Sequence, residues 1–417
     1  VYKKDYEGLY CVDCETFYMQ KDLVDGNCPV HMKKCENVKE ESYFFKMSKY
    51  QKRVEDYISK GYILPEDKRK FLLSRLKKEG LKDLCVSRTN FDWGIPLPFD
   101  KKHFVYVWYD ALWNYVSGVD GKKFWPADVH VIGHDILWHH SAVWLSMLFA
   151  SGVKPPKNVL VHGFINAEGG IKMSKSLGNV VNPMEIASRY PVDSVRYFLI
   201  REIPFGLDGA FSEKALVARH NNELANDLGN LLSRTASMLE KYYNGVVPAK
   251  SKDELSKYLD LKAMQKARDN FETHIALAEL WKFVNHANKY VNDNQPWALA
   301  ASNKKRLAEV MYNLAESLRT IAIMLKPFMP ATASEIAAQM GIKGFDKLGV
   351  KDIKLGKMAK AKVSKGQMLF TKMQEVENMV KKEEKKQEAA PKEINVPGKV
   401  PYAEFAKLDI RIGTITK

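Results

Sequence analysis

The sequence predicts an α/β protein: a doubly wound parallel sheet, preceded by a small metal knuckle and followed by an antiparallel helical bundle. Three observations carry this. Apolar runs at 104–108, 129–133 and 159–163 bracket a stretch of helical spacing at 136–151, and the last two runs end in glycine. Four of the five cysteines fall in the first 35 residues. Between 224 and 325, leucines and other apolar residues recur at helical spacing. A chain of 417 residues has room for two or three such cores.

Composition narrows the class further. No apolar run reaches the length of a membrane span and no secretory leader opens the chain, so a cytoplasmic setting is expected. The formal net charge of +15 favours a polyanionic partner and salt-sensitive binding, although part of it lies in the lysine-rich last sixty residues. The chain opens on Val1 and stops at Lys417 within an alternating apolar run, so both ends are expected to continue in a longer protein.

Residues 1–49 hold the knuckle. Cys11-x-x-Cys14 and Cys28-Pro29-Val30-His31 are two turns of the kind that grip a tetrahedral zinc through three thiolates and one imidazole. Cys35 stands four residues beyond His31 and could replace it. Disulfides are the alternative, disfavoured in a cytosolic chain. Cys85 reads as a buried small hydrophobe.

Residues 50–200 hold the expected sheet. Helices are expected over 53–62 and 68–78, then strands over 104–108, 129–133 and 159–163. Ligands in such sheets bind beyond the carboxyl ends of the strands. That singles out Trp108 and Tyr115, then Gly133, Asp135, His140 and Trp144. Three aromatics and an imidazole would wall a pocket suited to a thioether, since sulfur packs well against ring edges; they would equally serve as ordinary core. Asp135, after Gly133-His134, sits where a carboxylate could accept from ribose hydroxyls.

Beyond the last strand lies Gly169-Gly170-Ile171-Lys172-Met173-Ser174-Lys175-Ser176-Leu177-Gly178-Asn179. Two lysines three residues apart, flanked by glycines and hydroxyls, can clamp a polyphosphate and release it. A solvated turn is the plain alternative for a basic loop of this kind. Residues 201–341 read as the bundle, with Leu224, Leu228, Leu231, Leu232 and Leu239 on one face. Leu277, Leu280, Trp281, Val284 and Val291 make a second face, and Leu307 to Leu325 a third. Residues 342–399 read as a charged linker, solvated helix or tether. Residues 400–417 alternate as the start of a barrel strand.

Lys172-Met173-Ser174-Lys175-Ser176 is the full signature loop of class I aminoacyl-tRNA synthetases, and the chain resembles the methionyl-tRNA synthetase family over nearly its whole length. The stretches that carry the resemblance are 43–50, 91–96, 107–112, 132–137, 161–163 and 172–176. The resemblance implies ATP-dependent activation of methionine and transfer to tRNA(Met), with Mg²⁺ accompanying ATP. It implies a methionine pocket of Trp108, Tyr115, His140 and Trp144, with Arg88 near the substrate. Gly133 and Asp135 would contact adenosine, Ile165 would back the adenine, and Lys172, Ser174 and Lys175 would handle the phosphates, Lys175 first. The anticodon-reading positions match at Asn230, Arg234 and Trp297; a splayed base could stack on the indole, although capping and packing are the ordinary uses of such residues. The knuckle matches members with one structural Zn²⁺ on Cys11, Cys14, Cys28 and His31. Residues 400–417 resemble the opening of an OB-fold tRNA-binding domain, through whose complete form dimerisation is a further expectation. The family's first half-sheet, with its His-Ile-Gly-His signature, is expected before Val1. Two other classes stay open: a sibling synthetase for isoleucine, valine or cysteine, and a non-catalytic tRNA-binding fragment or split subunit.

Overall fold

The computed structural model describes residues 1–11, 16–18, 20, 23–29, 32–89, 93–119, 123–174, 178–354 and 356–374. Cys14, His31, Lys175 and the expected barrel strand of 400–417 lie outside the described residues. The strands in chain order are β1 (Tyr2–Cys11), β2 (Thr16–Tyr18), β3 (Glu36–Phe45), β4 (Ile63–Leu64), β5 (Leu84–Cys85) and β6 (Ser87–Arg88). Then come β7 (Phe104–Val105), β8 (His130–Gly133), β9 (Val159–His162), β10 (Ile165–Asn166) and β11 (Gly209–Ala210).

The knuckle region is a long antiparallel ribbon, β1 on β3 with Tyr2 opposite Phe44 and Tyr10 opposite Glu36. β2 and β5 flank it in the order β2-β1-β3-β5. A ribbon this narrow is marginal in water without a second anchor. One end docks through Phe45 onto the main α/β core. At the other, Cys11, Cys28 and Cys35 are buried together, with Leu9, Tyr18 and Leu23 packed around them among the described residues.

The parallel sheet has the order β4-β9-β8. Val159 is the shared partner of Ile63 and His130, and Gly133 pairs with His162, so β8 and β9 end level. Parallel neighbours need a crossover helix. The β8–β9 crossover ends in the Trp144–Ser151 helix, whose Trp144, Leu145 and Leu148 are fully buried against Ile132, Val159 and Val161. Before it, a π-helical turn at His139–Val143 replaces the regular helix expected over 136–151. Such a turn inserts an extra residue and is frequent at functional sites.

One expected strand is corrected. Residues 104–108 do not form a strand of the parallel sheet. Only β7 is strand-paired, and it pairs antiparallel with β6. The chain turns at Tyr106 and enters a short helix, Val107–Asp110, that carries Trp108. A five-residue apolar run cannot by itself choose between strand and helix, and Val107 is exposed.

The helical half is built from Asn230–Tyr243, Leu261–Asp269, Thr273–Asn294, Pro296–Ser302, Lys304–Leu325 and Pro330–Gln339. The three apolar faces read from the sequence are all buried in one cluster. The stretch expected as linker from 342 is corrected as far as residue 374: Met358, Val363 and Phe370 are buried in that same cluster. An ion pair pins this return. Glu316 meets Arg319 at 3.0 Å with both side chains almost wholly buried. Its Oε1 accepts backbone N–H groups from Gly356 (2.9 Å), Lys357 (2.6 Å) and Met358 (2.8 Å). Arg319 donates to the carbonyls of Asp352 (2.8 Å) and Lys354 (2.7 Å).

Removing one partner of a buried, fully bonded pair costs roughly 3–5 kcal/mol. Glu316→Ala is therefore expected to lower stability by about that amount, read as a shifted urea midpoint. A shift near zero would show that the pair is not pinning the return.

Candidate active site

The π-helical turn sets the first half of the site. It places two adjacent imidazoles in different environments. His139 stacks on Trp108, with ring centroids 4.3 Å apart and planes 26° from parallel. His140 is buried and lies 3.1 Å from Ile136 O through Nδ1 and 3.0 Å from the Tyr115 hydroxyl through Nε2. A carbonyl can only accept, so Nδ1 carries the proton and Nε2 accepts from Tyr115. Burial holds the His140 pKa below its ordinary value, which keeps the ring neutral. Tyr115 also faces Trp144 at 6.2 Å, and Trp113 meets Trp144 edge-on at 5.1 Å.

Tyr115, His140 and Trp144 thus form one aromatic cluster against β8, and Trp108 joins it through its stack on His139. Polar satisfaction argues against plain core. His139 Nδ1, His130 Nε2 and Trp144 Nε1 are buried with no hydrogen-bond partner among the described residues. Orphaned polar atoms are rare in native interiors and call for an explanation. Trp144 is fully buried, so it backs the cluster rather than lining an open face. Arg88, on β6, lies over the Tyr106 ring at 4.3 Å and donates to Cys85 Sγ at 3.0 Å. It is thereby fixed two residues from Trp108. Cys85 is half-buried and serves as this acceptor, not as the buried hydrophobe expected.

The second half of the site lies across the strand ends. Asp135 is exposed two residues after Gly133. A Cβ at Gly133 would sit 2.6 Å from Asp135 Oδ1, so a side chain there would displace the carboxylate. His134 packs edge-on against Phe164 at 4.2 Å, and Lys172 Nζ stands 5.7 Å from the same ring. Ile165 is exposed on β10 beside it. The lysine loop is therefore tied to the strand end that carries Asp135. Gly169 and Gly170 both take φ of 78°, the left-handed region that glycine occupies freely. Asn179 closes the loop: its Oδ1 accepts Ser174 N–H at 2.8 Å and its Nδ2 donates to Lys172 O at 3.1 Å.

In the bundle, Arg234 stands over the Trp297 ring at 5.6 Å and donates to Asn292 Oδ1 at 3.0 Å. Asn230 is exposed one turn earlier on the same helix, and Trp297 is 49% exposed, which leaves its face open to a stacking partner. Sequence reasoning missed His139, Asn179 and Asn292, whose roles depend on tertiary neighbours. Among the described residues no three His, Cys, Asp or Glu side chains are arranged to hold a metal ion. No described helix is long and apolar enough to cross a membrane.

Comparison with known proteins gives the class first. Residues 1–236 match the family model described as tRNA synthetases class I (M), and residues 258–397 match the anticodon-binding domain of tRNA ligase. The methionine–tRNA ligase of Caldanaerobacter subterraneus subsp. tengcongensis is 44% identical over 439 residues, covering 100% of this chain and 68% of the relative. That of Bacillus subtilis is 38% identical over 463 residues, covering 100% and 69%. Mycobacterium tuberculosis methionyl-tRNA synthetase bound by methionyl-adenylate superposes with a TM-score of 0.81 at 34% identity, over 89% of this chain and 77% of that one. The chain belongs to the methionyl-tRNA synthetase family.

The histidines of the cluster carry a pH prediction. Burial first, and then the neighbouring His140 imidazole, push the His130 pKa down from 6.5 to about 4. An unfolded imidazole takes up its proton below 6.5 while the folded one resists until about 4. Stability is then full above 6.5 and declines as the pH falls through that window. Thermal midpoints measured across it are expected to drop on acidification, and His130→Asn to flatten the profile. An unchanged slope in the variant would contradict the assignment.

Proposed function

We propose that the chain activates methionine with ATP to give methionyl-adenylate and pyrophosphate, then passes the methionyl group to the 3′ end of tRNA(Met). The observation that carries this is the aromatic cluster of Trp108, Tyr115 and His140 beside the Asp135 strand end, with the Lys172 loop across from it. A neutral imidazole hydrogen-bonded to a phenol presents little net charge, which suits an apolar thioether among aromatic rings. That cluster disfavours a sibling synthetase for a branched aliphatic side chain. Relatives that share the whole chain are named as ligases, which favours an enzyme over a tRNA-binding fragment.

No side chain is needed as nucleophile. The methionine carboxylate attacks the α-phosphate, and the protein positions both partners and stabilises charge. Asp135 accepts from the ribose hydroxyls, Gly133 and Ile165 bound the adenosine, and Arg88 supports the substrate side. Lys172 and Lys175, with Ser174, stabilise the departing pyrophosphate, and Mg²⁺ carried with ATP neutralises further phosphate charge. Arg234 and Trp297, with Asn230, read the anticodon: the indole stacks a splayed base and the polar groups reach its edges.

The knuckle holds a structural zinc in this reading. Cys11 and Cys28 supply two thiolates, and Cys14 and His31 are the remaining sequence candidates. The burial of Cys35 with Cys11 and Cys28 supports Cys35 as the alternative to His31. Soft thiolates such as these suit zinc, with Cys14 and His31, outside the described residues, needed to complete the set.

Two measurements test this. Lys175→Ala is expected to slow methionine-dependent ATP–pyrophosphate exchange by at least about a hundredfold, on the scale of losing one oxyanion donor, while methionine binding changes little. Equal losses in both would remove Lys175 from its role. Elemental analysis should find one zinc per chain, lost in Cys28→Ser; retention in Cys35→Ser with loss in His31→Ala would assign the imidazole, and the reverse would assign Cys35.

A further inference from the structure

A groove of about 840 Å³ opens on the bundle where residues 357–362 pass the end of the Pro330–Gln339 helix. Lys343, Lys357, Lys360 and Lys362 line it, all exposed. Its one acidic lining residue, Asp352, already accepts Gly349 N–H at 2.8 Å. Arg319 at its floor is matched by buried Glu316, so the four lysines leave the groove strongly positive. Lys362 Nζ donates to Asn244 O at 3.0 Å, a contact that leaves its charge uncompensated.

The walls are held rigidly. Glu316 fixes three consecutive backbone N–H groups at 356–358. Gly341, at φ 64°, lies so close to Lys362 O that any Cβ would collide with it. Lys360 takes φ of 63°, an uncommon conformation for a lysine that persists only where its surroundings impose it. Lysines mounted on a fixed backbone, with no aromatic ring among the lining residues, suit phosphate charges rather than bases.

The groove lies at the far end of the helix that begins with Asn230. That helix has 14 residues, so at 1.5 Å per residue it spans roughly 20 Å. We infer that this groove binds the sugar–phosphate backbone of the same tRNA whose anticodon meets Arg234 and Trp297. The inference rests on the anticodon-reading role proposed above.

Salt dependence separates the two. Each phosphate contact contributes about 0.7–0.9 to the slope of log affinity against log salt. The full chain carrying K343Q/K357Q/K360Q is expected to bind tRNA(Met) with a slope shallower by about 2–3 and roughly tenfold or more weaker at low salt. K343E/K357E/K360E should weaken binding further, and thermal melts of both variants check the fold. Trp297→Ala should weaken binding with the slope unchanged. A wild-type slope in both lysine variants overturns the groove; wild-type affinity in Trp297→Ala overturns the anticodon reading instead.

Discussion

The level ending of β8 and β9 is the constraint on which the site depends. Their register sets Gly133 beside His162, and both chains leave the sheet at the same rim. From β8 the chain passes through Asp135 into the π-helical turn; from β9 it passes through Phe164 to the lysine loop. Gly163 makes the second exit possible, because any side chain there would collide with the Leu207 carbonyl. Shifting the pairing by one residue would turn Ile132 and Val161 out of the core and separate the aromatic cluster from the loop.

The π-helical turn refines what the register permits. The extra residue lets His139 face Trp108 while His140 is held between Ile136 and Tyr115. A neutral, doubly bonded imidazole costs little to bury and fixes the Tyr115 ring in place. The same economy appears in the bundle, where buried Glu316 serves Arg319 and three backbone N–H groups at once. Both networks are polar and buried, and in both a titratable side chain determines where a loop runs.

What the sequence made legible was periodic or contiguous. The leucine faces and the apolar runs at 129–133 and 159–163 are local patterns, and the structure places them as read. Tyr115, His140 and Trp144 meet as ring neighbours, whereas Trp108 meets His139, a residue no local pattern singles out. The features missed are those decided by tertiary neighbours. The turn at Tyr106 ends a strand that composition alone would continue. The return of 356–374 over the bundle is lysine-rich in sequence yet buries Met358, Val363 and Phe370. Asn179 and Asn292 look like ordinary loop and helix residues until their partners are known. Cys35 stands outside the two-turn spacing yet lies inside the cysteine cluster.

The central claim is that the aromatic cluster and the lysine loop face one substrate across the sheet rim. A crystal structure of the full-length protein with a non-hydrolysable methionyl-adenylate analogue tests it most directly. The account predicts the thioether against Trp108 and Tyr115, the ribose at Asp135, and the phosphate mimic toward Lys172. A thioether seated away from Trp108 and Tyr115, or an adenosine away from Gly133 and Asp135, would contradict it.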